Sequence, residues 1–169
     1  KKHDCSRDEI LLQNCSLKSG LQSRLVVVSL APPMHRPLRA LGPERIATFY
    51  LSLRLFQDNY NTRFHNYDFI IFHEDFNDCD KQQALEAIPT AHVIFKQTDP
   101  RYIPPEWYND SDIKAAFAFW QAHPTGHDLG YSGMLSFFGG GLFEDPLMDP
   151  YDYFLRLDSD SLYLSPAPE

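Results

Sequence analysis

Hydrophobic and polar positions along the chain fall into two kinds of segment. The first kind is a short apolar run rich in β-branched and aromatic residues, at 24–31, 67–74, 91–96 and 151–158. Runs of this length and composition predict strands. The unbroken apolar stretch from Leu25 to Ala31 predicts a central parallel strand buried on both faces. The second kind repeats at helical spacing. Ile46, Phe49, Leu53, Phe56 and Tyr60 recur at steps of three and four, which predicts a helix over 43–61 with Pro43 in its first turn. A second helix runs through Leu85 to Ile88, capped by Asp78 and ended by Pro89.

Beyond the third strand, 99–112 is a loop rich in proline and aromatic residues, and Ile113, Phe117 and Trp120 mark a helix capped by Asp110 or Ser111. Tyr131, Met134, Leu135 and Phe138 mark a further helix from near Asp128, which Gly139-Gly140-Gly141 interrupts or kinks. Strands alternating with helices predict an α/β layered sheet with crossover helices. Residues 1–23 are polar with little periodicity and read as a leader or surface segment, leaving 24–169 as one domain. A chain of 169 residues is large enough to bury a core of its own. No apolar run approaches membrane-spanning length. The opening Lys1-Lys2-His3-Asp4 is not a signal peptide, so any signal or anchor is expected outside the sequence shown.

Charge changes the picture. A formal net charge of −8 argues against nucleic acid as a partner. An acidic protein still binds an anionic nucleotide when a divalent cation lies between the two. Cys5, Cys15 and Cys79 cannot all pair within one chain, and Cys5 with Cys15 is one possible bridge. Asn14-Cys15-Ser16 and Asn109-Asp110-Ser111 fit the N-glycosylation pattern and lean toward a luminal protein.

The most informative residues are Asp158-Ser159-Asp160, which follow the last apolar run. In an extended chain side chains alternate, so Asp158 and Asp160 are expected on one side with Ser159 opposite. Two carboxylates so placed suit one hard divalent ion, Mn²⁺ or Mg²⁺, with diphosphate oxygens completing its shell. Taken alone, the triplet is equally a turn, since Asp and Ser favour turns. A phosphatase of the haloacid-dehalogenase type also carries D-x-D after a buried strand. It requires Thr or Val where this chain has Leu162, and it places the motif near the start of the domain.

Other constellations are weaker. His73-Glu74-Asp75 ends the second strand, where a carboxylate is placed to accept from ribose hydroxyls or a purine. Arg36 and Arg39 lie just past the first strand, within range of a diphosphate. Pro124 and Gly126 between His123 and His127 oppose a helical zinc pair. The triple glycine matches neither a dinucleotide nor a Walker loop, and no serine lies in a nucleophile elbow.

From about Arg24 onward the chain resembles the fungal-type α-1,2-mannosyltransferase family. Phe64-His65-Asn66-Tyr67-Asp68 resembles the family's "RF…YD" entry to its second strand, and Ile103-Pro104-Pro105-Glu106-Trp107 its "I-P-…-W" loop. The fullest likeness runs from Tyr131 through Asp145-Pro146-Leu147-Met148 to Asp160, which is similar to "YRHMCRF-x-SG", "HPLM" and "YDYYWRLEPD". The resemblance implies a GT-A fold, a Rossmann-like layered sheet seen here up to its D-x-D strand. It implies retaining transfer of mannose from GDP-mannose, Mn²⁺ dependence, a glycan or glycoprotein acceptor, and a Golgi-luminal enzyme held by a single anchor outside the sequence shown.

By the same likeness, Tyr131 and Asp158 fall at the donor site and Asp158 and Asp160 at the metal. Ser29 and Leu30 line the base pocket, with Glu74 and Asp75 beside the ribose. Departures are clear: the family's R-H-M-C-R is Ser132-Gly133-Met134-Leu135-Ser136 here, without its arginines. The family's acceptor site and catalytic carboxylate are expected beyond Glu169, so no catalytic residue is assigned. The competing reading is a non-catalytic domain of the same fold that binds a carbohydrate or a protein partner.

Overall fold

The β-branched run at the start of the domain forms β1, Leu25–Leu30, and lies at the centre of a four-stranded sheet. Asp68–His73 forms β2, Val93–Gln97 forms β3 and Tyr153–Leu157 forms β4. All pairings are parallel and the strand order is β3-β2-β1-β4. The computed structural model describes residues 24–32, 34, 43–64, 66–98, 111–112, 115, 118–119 and 129–166, with the side chains of 43, 64 and 129–132 excepted. Most of the expected 99–112 loop, most of the helix at 113–120, Arg36, Arg39, His123 and His127 fall outside these residues.

Alternation in β1 divides the core between two faces. Val27 joins Phe69, Ile71 and Leu157 in one cluster, while Val26 and Val28 join Ile70 and Phe72 in the other. Two helices close the first cluster: α1, Pro43–Phe56, through Phe49, Leu53 and Phe56, and α2, Asp78–Ala87, through Ala84 and Ala87. The second is closed by Phe137 and Leu142, which follow α3, Leu129–Ser136. This is the doubly wound layering that the alternation of strands and helices predicts.

Helix ends depart from the sequence expectation in instructive ways. Asn77, rather than Asp78, caps α2. Its side chain accepts from Asp80 N–H while the Asp80 carboxylate accepts from Asn77 N–H, a reciprocal capping box. The expected single helix over 43–61 is α only to Phe56, then widens into a π-helical turn at Gln57–Asn61 and closes with an α turn at Thr62–Phe64. Polar burial accounts for the widening. Gln57 and Asn61 are buried within it; Gln57 Nε2 donates to Thr90 Oγ1 at 2.7 Å, and Asn61 Nδ2 donates to Gln57 Oε1 at 2.9 Å. Asn61 Oδ1 also accepts from Tyr67 N–H at 2.7 Å, which fixes where the chain enters β2.

The triple glycine behaves similarly, since Phe137–Gly141 forms a second π-helical turn and helix resumes at Leu142–Glu144. Cys79 is disulfide-bonded. Cys5 and Cys15, the bridge the sequence offered, lie outside the described residues.

Phe56 ties these parts together, fully buried and edge-on to both Phe69 of β2 and Tyr163 beyond β4, with ring centroids 5.8 and 5.0 Å away. Phe56→Ala leaves a cavity where α1, the sheet and the segment after β4 meet. The expected loss is about 3–5 kcal/mol of unfolding free energy, measured by urea denaturation. A loss under about 1 kcal/mol would mean that this junction does not hold the fold.

Candidate functional site at the carboxyl edge of the sheet

From β1 the chain moves outward to β2 and β3, then returns to place β4 on the other flank of β1. The direction of winding reverses between β1 and β4, and in open α/β sheets ligands bind outside the carboxyl ends of strands at such a reversal. Ser29 is paired with Leu157 there, so the end of β1 and the acidic triplet are neighbours.

The triplet itself is not extended. β4 stops at Leu157, and Ser161 N–H donates to the Asp158 carbonyl at 3.0 Å, closing a turn over Ser159 and Asp160. The expected strand alternation across Asp158 and Asp160 is thus replaced by a turn, which is what Asp-Ser-Asp favours once the ladder ends. Asp158 is about half exposed, with 47% of its side-chain surface accessible, and Asp160 is exposed. Buried Ser52 of α1 donates its hydroxyl to the Asp158 carbonyl at 3.2 Å. Asn59 Nδ2 donates to the Tyr163 carbonyl at 2.6 Å, and the Tyr163 ring packs on Phe56 and Tyr60. The chain on either side of the turn is therefore anchored to the α1 layer.

On the carboxylate side, Arg156 Nε donates to Asp158 Oδ1 at 2.5 Å. Its guanidinium lies over the Phe138 ring, 4.2 Å from the centroid, and Nη2 approaches Met134 Sδ at 3.8 Å. Ser52, Asn59 and Arg156 were given no role by the sequence reading. The step of two from Arg156 to Asp158 along a strand was the signal available for Arg156. Ser52 stands out as a polar residue amid α1's apolar positions.

The remaining sequence candidates are distributed along this edge. Ser29 is fully buried and donates its hydroxyl to the Leu157 carbonyl at 2.8 Å. Its side chain therefore ties β1 to β4 at the carboxyl end of β1. Leu30 is partly exposed and packs against the cluster on the other face. Asp75 is partly exposed and accepts from Met34 N–H at 2.9 Å, pulling the chain after β1 toward the end of β2. Glu74 is partly exposed, and its carbonyl accepts from Gln97 Nε2 at 2.9 Å. Tyr131 lies within α3 but its side chain is outside the description.

The donor chemistry can be set against a divalent ion. Asp158 and Asp160 offer hard carboxylate oxygens on an accessible turn, which suits Mn²⁺ or Mg²⁺ held by one or two carboxylates plus phosphate and water. Among the described residues no three His, Cys, Asp or Glu side chains converge as an all-protein metal cage. The residues present fit an ion shared with a ligand, not one held by protein alone.

A model of the glycolipid 2-alpha-mannosyltransferase family matches residues 40–163, close to three quarters of the chain. The chain belongs to this family. It is similar to the probable mannosyltransferase YUR1 of Saccharomyces cerevisiae, with 23% identity over 120 residues, covering 69% of this chain and 28% of that protein. Its fold is similar to that of core-mannan synthase A (CmsA/Ktr4) from Aspergillus fumigatus, solved in a Mn/GDP form. That match has a TM-score of 0.60 at 20% identity, and covers 83% of this chain and 36% of that one. The GT-A-like layering expected from the sequence is thereby shown. The chain spans about a third of the length of these two relatives.

His73, at the end of β2, adds a titratable group under this edge. It is buried, stacked on Phe76, and its Nδ1 accepts from Phe76 N–H at 3.2 Å. Burial lowers its pKa and Lys81 lowers it further, against an opposing pull from Asp75 and Asp80. A histidine depressed in the folded state is neutral there while the unfolded chain takes up a proton, so its contribution is present above about pH 6.5 and lost as pH falls toward the folded value. Urea unfolding of the wild type is expected to show declining stability below about pH 6.5. In His73→Phe that part of the decline disappears. Identical pH profiles for the two proteins would contradict it.

Proposed function

We propose that this chain carries the donor-binding part of a metal-dependent glycosyltransferase, moving mannose or another hexose from a nucleotide sugar, GDP-mannose being the best fit, to a glycan or glycoprotein acceptor. The observation that carries the reading is the accessible Asp158–Asp160 turn at the carboxyl end of β4, beside the end of β1 where the winding reverses. Family membership and the fold shared with a mannan synthase solved with manganese and GDP support it.

In this reading Asp158 and Asp160 present carboxylate oxygens toward the diphosphate side of the donor. When bound, Mn²⁺ or Mg²⁺ supplies Lewis-acid neutralisation of the charge that builds on the leaving diphosphate. Leu30, Glu74 and Asp75 border the nucleoside, and Tyr131 borders the donor from α3. Ser29 and Ser52 act beneath the surface: each donates to a carbonyl at the end of β4 and holds the acidic turn against the edge. Orientation of this kind matters because small misplacements at a reacting centre lower rates steeply.

The setting we propose is the Golgi lumen, with any membrane anchor outside the residues shown. The disulfide at Cys79 and the two glycosylation triplets support an oxidising, secretory environment. Among the described residues no helix is long and apolar enough to cross a membrane.

Titration calorimetry with GDP tests the site directly. Wild-type protein is expected to bind GDP roughly tenfold or more tightly with Mn²⁺ than without it. Asp158→Ala is expected to abolish that gain while keeping the fold. Equal GDP affinity with and without Mn²⁺, or an undiminished gain in the variant, would remove the metal role assigned to the turn.

A further inference from the structure

Arg156 is unusual among the groups at the carboxyl edge. Its guanidinium has five N–H donors. Nε is engaged with Asp158 Oδ1, and among the described residues Nη2 reaches the thioether of Met134, a weak acceptor. The group lies over Phe138, 4.2 Å from the ring centroid, and remains about one-third exposed, with 34% of its side-chain surface accessible. Ion pairs this accessible contribute little to stability, so a stronger anion can exchange with the carboxylate. The helical stretch from Leu129 to Glu144, which forms the opposite wall and contributes Met134 and Phe138, contains no lysine or arginine. Lys96 of β3 is paired with Asp145 at 3.6 Å, so beside the acidic turn the positive charge among the described residues comes from Arg156 of β4.

Resting on the nucleotide-sugar reading above, we propose that Arg156 is a ligand for the donor's diphosphate, exchanging its Asp158 partner for a phosphate oxygen when the donor binds. The guanidinium offsets the Asp158 charge and occupies one of its oxygens. On binding, the carboxylate turns to the cation and the guanidinium turns to a phosphate oxygen, with Phe138 serving as the surface on which it pivots. Arg is suited to this exchange because its planar fork matches phosphate while its face stays on an aromatic ring. The two charges thus guard each other until a ligand carrying both partners arrives.

The exchange has a signature of opposite signs. In the full chain, calorimetry would compare wild type, Arg156→Gln and Arg156→Lys, each with Mn²⁺ alone, GDP plus Mn²⁺ and GMP plus Mn²⁺. Arg156→Gln is expected to weaken GDP plus Mn²⁺ roughly tenfold or more. It should change GMP plus Mn²⁺ much less, and tighten Mn²⁺ alone because a competing cation has left Asp158. Arg156→Lys, which keeps the charge and loses the fork, is expected to fall between the two for GDP.

Equal weakening of GDP and GMP, or weaker binding of Mn²⁺ alone, would overturn the proposal and leave Arg156 as a structural support. A wild type showing no Mn²⁺-dependent GDP binding would overturn the underlying nucleotide-sugar reading instead. If Arg156→Gln fails to fold, the Lys variant decides. GDP affinity equal to wild type in that variant would count against a forked phosphate contact.

Discussion

β1 has a strand on each side and packed side chains on each face, and the rest of the molecule is arranged around that enclosure. A strand so placed has no solvent-facing positions, so Val26, Val27 and Val28 are all fully buried and contribute alternately to two cores. Pairing with β2 and β4 in parallel requires crossover chain between the strands, and that chain becomes the helical layers. Both flanking strands end level with β1, which brings the chain after β1, the bend after β2 and the turn after β4 to one edge. Met34 N–H to Asp75, Ser29 to Leu157 and Ser52 to Asp158 are the bonds by which the core fixes that edge.

Function on such an edge is a matter of charge. The protein is acidic overall, and Glu74, Asp75, Asp158 and Asp160 concentrate that character where the strands end. An anionic diphosphate has no reason to approach unless cations intervene. A metal ion supplies one such charge in the proposed reading, and Arg156 supplies another that belongs to the chain itself. The Asp158 peptide carbonyl is bonded to α1 on one side of the sheet, while its carboxylate meets Arg156 and, through it, Phe138 on the other. Backbone position and side-chain charge are thus controlled by different layers.

The strands and their parallel arrangement were legible because burial writes itself into composition: Leu25–Leu30 and Asp68–His73 each carry four consecutive apolar residues, as a strand covered twice does. Asp158 and Asp160 were legible as acids after an apolar strand, and the family likeness singled out the same pair. Their geometry was not. Strand alternation says where side chains point only while the ladder continues, and Leu157 is its last residue. The bonding of Ser29 was hidden for a related reason, since a small polar residue at a strand end reads equally as a ligand contact or as a buried donor. Its bond to the Leu157 carbonyl lies 128 positions away in the chain, beyond any local pattern. The π turn at Gln57–Asn61 escaped notice because Gln57 and Asn61 look like surface residues until their mutual hydrogen bonding is seen.

The π turn at Gln57–Asn61 has consequences for how this fold can vary. It holds one residue more than a regular turn would, and each residue of an α-helix advances the phase by about 100°. Losing that residue would swing everything from Thr62 onward around the axis and carry Asn61 away from Tyr67, whose backbone it holds on both the N–H and carbonyl sides. Insertions and deletions in the stretch between Phe56 and Asp68 are therefore not interchangeable with those in an ordinary surface connection. Length there is a fixed dimension of the domain, set by two buried amides rather than by the apolar packing around them.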